Sequence, residues 1–287
     1  MKHVLFAVAL VTGTLGLAGS AAAGITVPKA YPGKNALIAF TRTNPLHSPQ
    51  LTGITRGHVP QVVVKGGRLV AGPVHANVAA TASASGYLDQ AARGVRFTFV
   101  RAYFNVPSVN SSTGCNGNPA DGSVLQVVRL DYQEAGVAEV GCNGVTTADF
   151  FYNVAGYGAF YYSGVNPGDA IEASIIVNRA SEYVLQVTDL STGGLLQVTM
   201  GCQVSSCADS TAGVVSQPQN LTGGVMPDFT MINYTGSAVS ANFGKFKGNL
   251  AAKRGKWKSE ALEEKSPSVV TPSALQGGHA FSNTWAS

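Results

Sequence analysis

No aspartate or glutamate occurs before Asp89. Residues 24–88 carry instead Lys29, Lys34, Arg42, Arg56, Lys65 and Arg68, whereas residues 89–287 hold 12 Lys and Arg against 15 Asp and Glu. A basic leader on a mildly acidic body can dock electrostatically, or can simply be a solvated spacer. Its basic residues are scattered and lack interleaved aromatics, which argues against nucleic-acid binding. Charge is scarce overall at 12%, while apolar residues reach 45%. A disordered chain would show the reverse balance. Histidine is scarce too, and beyond residue 75 only His279 remains. It lies in a Gly-Gly-His turn with no nucleophile-elbow motif, so a Ser-His-Asp triad is not expected.

Long apolar runs are also few. Only Val4 to Leu17 is sustained, preceded by Lys2 and His3 and followed by Ala21-Ala22-Ala23. That pattern reads as a secretory signal peptide over residues 1–23, with a retained anchor as the alternative. The run is short for a membrane span, so an exported protein with no membrane role beyond export is expected.

Cysteine is limited to Cys115, Cys142, Cys202 and Cys207, with no Cys-x-x-Cys. An even number in an exported chain suggests two disulfides. Of the three pairings, Cys115–Cys142 with Cys202–Cys207 closes local loops. A metal site is the weaker reading, given a single late histidine. Gly193-Gly194 and Gly223-Gly224 read as turn glycines without a phosphate loop, so no cofactor is expected. Asn110, Asn220 and Asn233 begin glycosylation sequons.

What is abundant is Gly, Ser, Thr and Val, the composition of short strands and many turns. Residues 24–82 contain six prolines and read as a leader or pro-segment, with strand signals only at Gln61–Lys65 and Ala36–Phe40. A boundary is expected near Ala82. From Val95, the alternation Val95, Phe97, Phe99, Arg101, Tyr103 predicts a strand offering that face to a core. Val124–Leu130, Phe150–Val154, Ala170–Val177, Tyr183–Thr188 and Asp228–Tyr234 read as further strands. Asp189 to Gly194 reads as a hairpin turn into Leu195–Met200. Ala251–Lys265 fits either a short helix or an edge strand whose Lys256 and Lys258 point outward. The expected fold is all-β, a two-sheet antiparallel sandwich with an N-terminal extension.

Several segments occur in a telling order. They are Ser85-Gly-Tyr87, Phe104-Asn-Val-Pro-Ser-Val109, Asn166-Pro-Gly-Asp169, the Tyr183–Gly193 hairpin, Ser210-Thr-Ala-Gly-Val-Val-Ser-Gln-Pro-Gln219, Pro227-Asp-Phe229 and Thr271-Pro-Ser-Ala-Leu275. Together they resemble the glutamic peptidase (eqolisin) family across residues 83–287. The resemblance implies a concanavalin- or lectin-like jelly-roll sandwich with a substrate cleft. It also implies a glutamate that activates water and a glutamine that stabilises the tetrahedral intermediate.

The family's glutamate position corresponds to Ala212 and its tryptophan to Gly213. Its glutamine position corresponds to Glu139 in Val137-Ala-Glu-Val-Gly141. The Trp-Val-Gly-Ile-Asp segment corresponds to Val127-Val-Arg-Leu-Asp131, and the cleft Tyr-Glu pair to Tyr152-Asn153. Catalysis would then need another carboxylate, with Asp149 and Glu134 as candidates; Glu139 itself also reads as an ordinary solvent-facing strand carboxylate. Glu134 and Glu139, five apart, fall on opposite faces of one strand and could form a glycosidase pair only across a turn or bulge. Three readings stay open: a pseudoenzyme holding a peptide or polysaccharide in the old cleft, an acid endopeptidase rearranged around Glu139, and a structural sandwich.

Overall fold

The computed structural model describes residues 61–65, 69–74, 84–110, 122–154, 158–179, 182–201, 209–218, 226–264 and 269–286. Every named element among them is a strand. The expected signal peptide, the Ala36–Phe40 strand, Asn220, Cys115, Cys202 and Cys207 lie outside these residues. Cys142 is disulfide-bonded.

Two antiparallel sheets form. The nine-stranded sheet runs β1 (Gln61–Lys65), β11 (Leu195–Gly201), β10 (Glu182–Asp189), β9 (Ala170–Val177), β4 (Phe97–Asn105), β13 (Ile232–Ala241), β17 (Phe281–Ala286) and β16 (Val269–Pro272), with β14 (Phe246–Gly248) also on β13. The eight-stranded sheet runs β15 (Trp257–Leu262), β3 (Ser85–Ala91), β12 (Thr211–Pro218), β5 (Ser123–Leu130), β6 (Gln133–Cys142), β7 (Val145–Val154), β8 (Gly158–Val165) and β2 (Leu69–Val74). Residues 61–65 and 69–74, from the segment expected to be a leader, supply a strand to each sheet, since β1 pairs with β11 and β2 with β8. β1 is thereby an end strand of the nine-stranded sheet and β2 of the eight-stranded sheet.

The core lies between the sheets. Val100, Phe104, Ile175 and Leu185 of one sheet pack with Val128, Val137, Phe150, Tyr152 and Val214 of the other. Each large buried side chain stabilises by roughly 1.5–3 kcal/mol, which no single sheet could gain alone. The β10–β11 hairpin shows how local chemistry sets register. The Asp189 carboxylate accepts from the backbone N–H of Ser191 at 2.8 Å and of Thr192 at 3.2 Å. Gly193 then takes φ 75°, a conformation that glycine adopts without steric cost.

Two sequence expectations change here. Phe99, Arg101 and Tyr103 do not face the core. Val100, Ala102 and Phe104 do, while the Arg101 guanidinium sits over the Tyr103 ring at 5.0 Å on the other face. A register irregularity in the β13–β4 pairing, between Ser240 and Ala241, breaks the alternation after Phe97. Residues 228–231 are not in a strand, and β13 begins at Ile232. The ambiguous Ala251–Lys265 segment resolves as an edge strand, because Trp257 to Leu262 pair with β3 while Lys258 stays exposed.

Candidate site on the outer face of the eight-stranded sheet

The eight-stranded sheet has a second apolar surface, on the side away from the core. Leu125, Val127, Ala138, Phe151, Tyr161 and Val215 cluster there, and Phe151 and Tyr161 approach at 5.4 Å between ring centroids. Successive side chains alternate faces, so this set fixes the parity of each strand. Arg129, Gly213 and Gln217 follow Val127 and Val215 in steps of two. Glu134 pairs with Arg129 on one side and Asn153 on the other. All of these therefore share the outer face.

On that face, three polar side chains converge. Gln217 Nε2 donates to Glu134 Oε1 at 3.0 Å, and Asn153 Nδ2 donates to Glu134 Oε2 at 3.2 Å. All three are buried. The row between Gln217 and Glu134 holds Val127 and Gly136, the latter without a side chain. Gly136 brings β6 hard against β5. A Cβ there would lie 1.9 Å from the backbone oxygen of Gln126. Two polar atoms in this group lack partners, Gln217 Oε1 and Arg129 Nε. Arg129 spends one other nitrogen on the Asp131 carbonyl at 3.3 Å. Both atoms are buried, and a buried polar atom without a partner marks a place where a further donor or acceptor is wanted.

Asp131 closes one end of the site. Its carboxylate accepts from Thr211 N at 2.7 Å, Thr211 Oγ1 at 2.9 Å, and Ser210 N and Oγ at 3.1 Å each. It is a clamp between β5 and β12 rather than an available base. At the other end Asp149 is half-buried, and burial raises its carboxyl above the ordinary range. Among the described residues, no three His, Cys, Asp or Glu side chains converge as a metal would need.

The positions drawn from the family motif divide by face. Val127, Asn153 and Gly213 lie on the outer face, and Asp131 at its end. Tyr152 instead stacks on Phe160 inside the core, 4.9 Å between centroids. Ala212 is also a core residue. Glu139 alternates with the core residue Val137 and is fully buried, which rules out the solvent-facing reading. Its carboxyl is pushed well above its usual range by burial, and neither oxygen has a hydrogen-bond partner.

Nor do Glu139 and Ala212 oppose each other. Glu139 pairs with Val124 and Ala212 with Leu130, at opposite ends of β5. That separates them by roughly 20 Å along the strand at about 3.3 Å per residue. The carboxyl directly across from Ala212 is Asp89, which faces the core with it. Strand parity thus turns Glu139 toward the core and away from the outer face. Gln217 was missed in the sequence, although counting in twos from Gly213 reaches it.

A family model described as the Peptidase A4 family matches residues 82–284. No curated protein sequence matches the chain. Among solved structures, the chain is similar to scytalido-glutamic peptidase bound to a peptide-based transition-state analog. That match has 15% identity and a TM-score of 0.56, covering 71% of this chain and 98% of that one. It is also similar to SCP-B, an eqolisin-family peptidase in complex with the tripeptide Ala-Ile-His. There the identity is 16% and the TM-score 0.53, with the same coverage of 71% and 98%. At these identities the structural likeness speaks for the sandwich, and the family model, spanning most of the chain, speaks for descent: this chain belongs to the Peptidase A4 family, the glutamic peptidases or eqolisins.

Proposed function

We propose that this chain is an exported member of the glutamic peptidase family that has lost the usual catalytic dyad. It holds an extended peptide on the outer face of its eight-stranded sheet. The observation that carries this reading is the polar cluster of Glu134, Gln217 and Asn153 beside an apolar floor, with Gln217 Oε1 and Arg129 Nε unpartnered. A peptide backbone offers N–H groups to that oxygen and carbonyl groups to that guanidinium. The peptide-based ligands of the two similar peptidases support the same ligand class. A short polysaccharide is the other ligand that the face would accept, through the same hydrogen bonds.

The test uses the full-length protein at acid pH, with casein as substrate and hydrophobic oligopeptides as ligands. Saturable peptide binding without cleavage is expected. Gln217→Leu should weaken that binding about tenfold, the value of one lost hydrogen bond in a desolvated site. Neither binding nor cleavage would leave only a structural sandwich.

A second reading is favoured by the 3.0 Å bond between Glu134 and Gln217. A carboxylate and an amide in contact are the two groups that acid peptidase chemistry uses, here with the strands exchanged. Glu134 would take the proton of the attacking water, and the Gln217 amide would donate to the developing oxyanion. If this reading holds, casein is cleaved, and Glu134→Gln lowers the rate by ~10²–10⁴-fold. Glu139→Gln should leave that rate unchanged.

A further inference from the structure

Half of the Lys and Arg residues beyond Asp89 fall in one short stretch. Lys245, Lys247, Lys253, Arg254, Lys256 and Lys258 lie within residues 245–258, and no acid occurs between Asp228 and Glu260. The stretch folds as β14, a turn and β15, beside the exposed Arg93 in the turn after β3. Lys245, Lys247, Arg254 and Lys258 are exposed. The patch is therefore strongly cationic on a domain that is otherwise acidic.

Three of its five ammonium groups also lie against aromatic rings. Lys256 Nζ sits 4.1 Å from the centroid of the Phe246 ring and Lys245 Nζ 5.6 Å from it. Lys253 Nζ sits 5.5 Å from Trp257. Trp257 is itself anchored, its Nε1–H donating to the Ala251 carbonyl at 3.0 Å. Ring faces attract cations and limit their side-chain freedom, so less entropy remains to be lost on binding an anion. Beside these groups lies a cavity of about 270 Å³, lined by Gln90, Lys256, Trp257 and Lys258 around the turn at Gly255. It is smaller than the ~300–1,000 Å³ of drug-sized sites, and suits one ring-sized unit.

We propose that this patch binds an acidic polysaccharide. One uronate or sulfated sugar unit enters the cavity between Lys256 and Lys258, the Gln90 amide meets its hydroxyls, and the neighbouring acidic units lie over Lys245, Lys247, Lys253 and Arg254. Single-stranded nucleic acid fits less well. Trp257 is buried and Phe246 is already covered by lysines, so these rings offer no face for base stacking. A bilayer also fits less well, because Phe243 is the single large apolar side chain exposed in this stretch of the described residues. Glu260, further along β15 and exposed, marks the limit of the patch.

The experiment measures binding of full-length protein to polygalacturonate at low and high salt, with dextran as the neutral control. Saturable binding that weakens with salt is expected, with none to dextran. The double variant Lys256→Gln/Lys258→Gln should lose at least about tenfold in affinity, with a thermal midpoint lowered by no more than about 4 °C, the value of the lost contact of Lys256 with Phe246. Arg179→Gln, an exposed cation that does not line the cavity, should bind as the parent does. Undiminished binding by the double variant would assign the affinity to the basic leader and overturn the proposal. So would absence of binding to polygalacturonate, or tighter binding to single-stranded DNA or to phosphatidylserine vesicles.

Discussion

Thermal unfolding of this protein between about pH 4 and pH 8 should show its midpoint falling by about 10–20 °C. Two carboxyl groups sealed between the sheets carry this expectation. Asp89 is fully buried, and neither of its oxygens has a hydrogen-bond partner. Burial is what pushes its carboxyl from 3.8 up to about 8. Glu139 sits in the same layer near Tyr234, and burial pushes it upward as well. Desolvation disfavours the charged form in both cases. The unfolded chain ionises such groups near pH 4, whereas the folded chain keeps them protonated. Stability is therefore complete below about pH 4 and is withdrawn as pH rises, until Asp89 ionises within the fold at about 8. For Asp89 alone the loss is on the order of 5 kcal/mol, comparable with the whole stability of a domain. Asp89→Asn and Glu139→Gln should each flatten the profile. A midpoint that stays level, or rises, across this range would refute the protonated-core account.

Gly136→Ala should cost about 3 kcal/mol or more, and should abolish ligand binding on the outer face. The obstacle is space rather than backbone conformation, because Gly136 is absent from the residues with positive φ. A Cβ at this position would lie 1.9 Å from Gln126 O and 2.9 Å from Val127 Cα. Both are backbone atoms, so only opening of the β5–β6 ladder relieves the clash. Opening that ladder also moves Glu134 away from Gln217, since β5 lies between their strands. Gly94 is the contrast. It sits in a turn at φ 78° with nothing within 4 Å of a Cβ, so Gly94→Ala should cost only ~1–2 kcal/mol, the penalty of the left-handed conformation. Urea unfolding of both variants measures the difference. A Gly136→Ala protein as stable as the parent would show that β5 and β6 are not locked together there.

Some of the site was within reach of the residues alone. The ordered motifs point to β6 and β12, and to Val127, Asn153 and Gly213, which share the outer face with Glu134 and Gln217. Glu139, Ala212 and Tyr152 instead face the core, because a match in sequence carries no face with it. A side chain changes sides with every step along a strand, and β6 and β12 contain Gly136, Gly141 and Gly213, which blur the apolar alternation that marks the face. The same weakness misassigned Phe99, Arg101 and Tyr103, where one irregularity in the pairing with β13 reverses the pattern.

Composition and periodicity were enough for an all-β chain, for the Ala170–Val177 strand, and for the Asp189–Gly194 hairpin. These depend on neighbouring residues: the alternation along one strand, the turn chemistry of Asp and Gly. The pairing of β1 and β2 onto the two sheets, the inward burial of Asp89 and Glu139, and the meeting of Glu134 with Gln217 across β5 were decided only in the tertiary structure. Each depends on which strand lies alongside which, and at what register. That choice is set by how both sheets together bury their apolar faces, and no single segment of the chain encodes it.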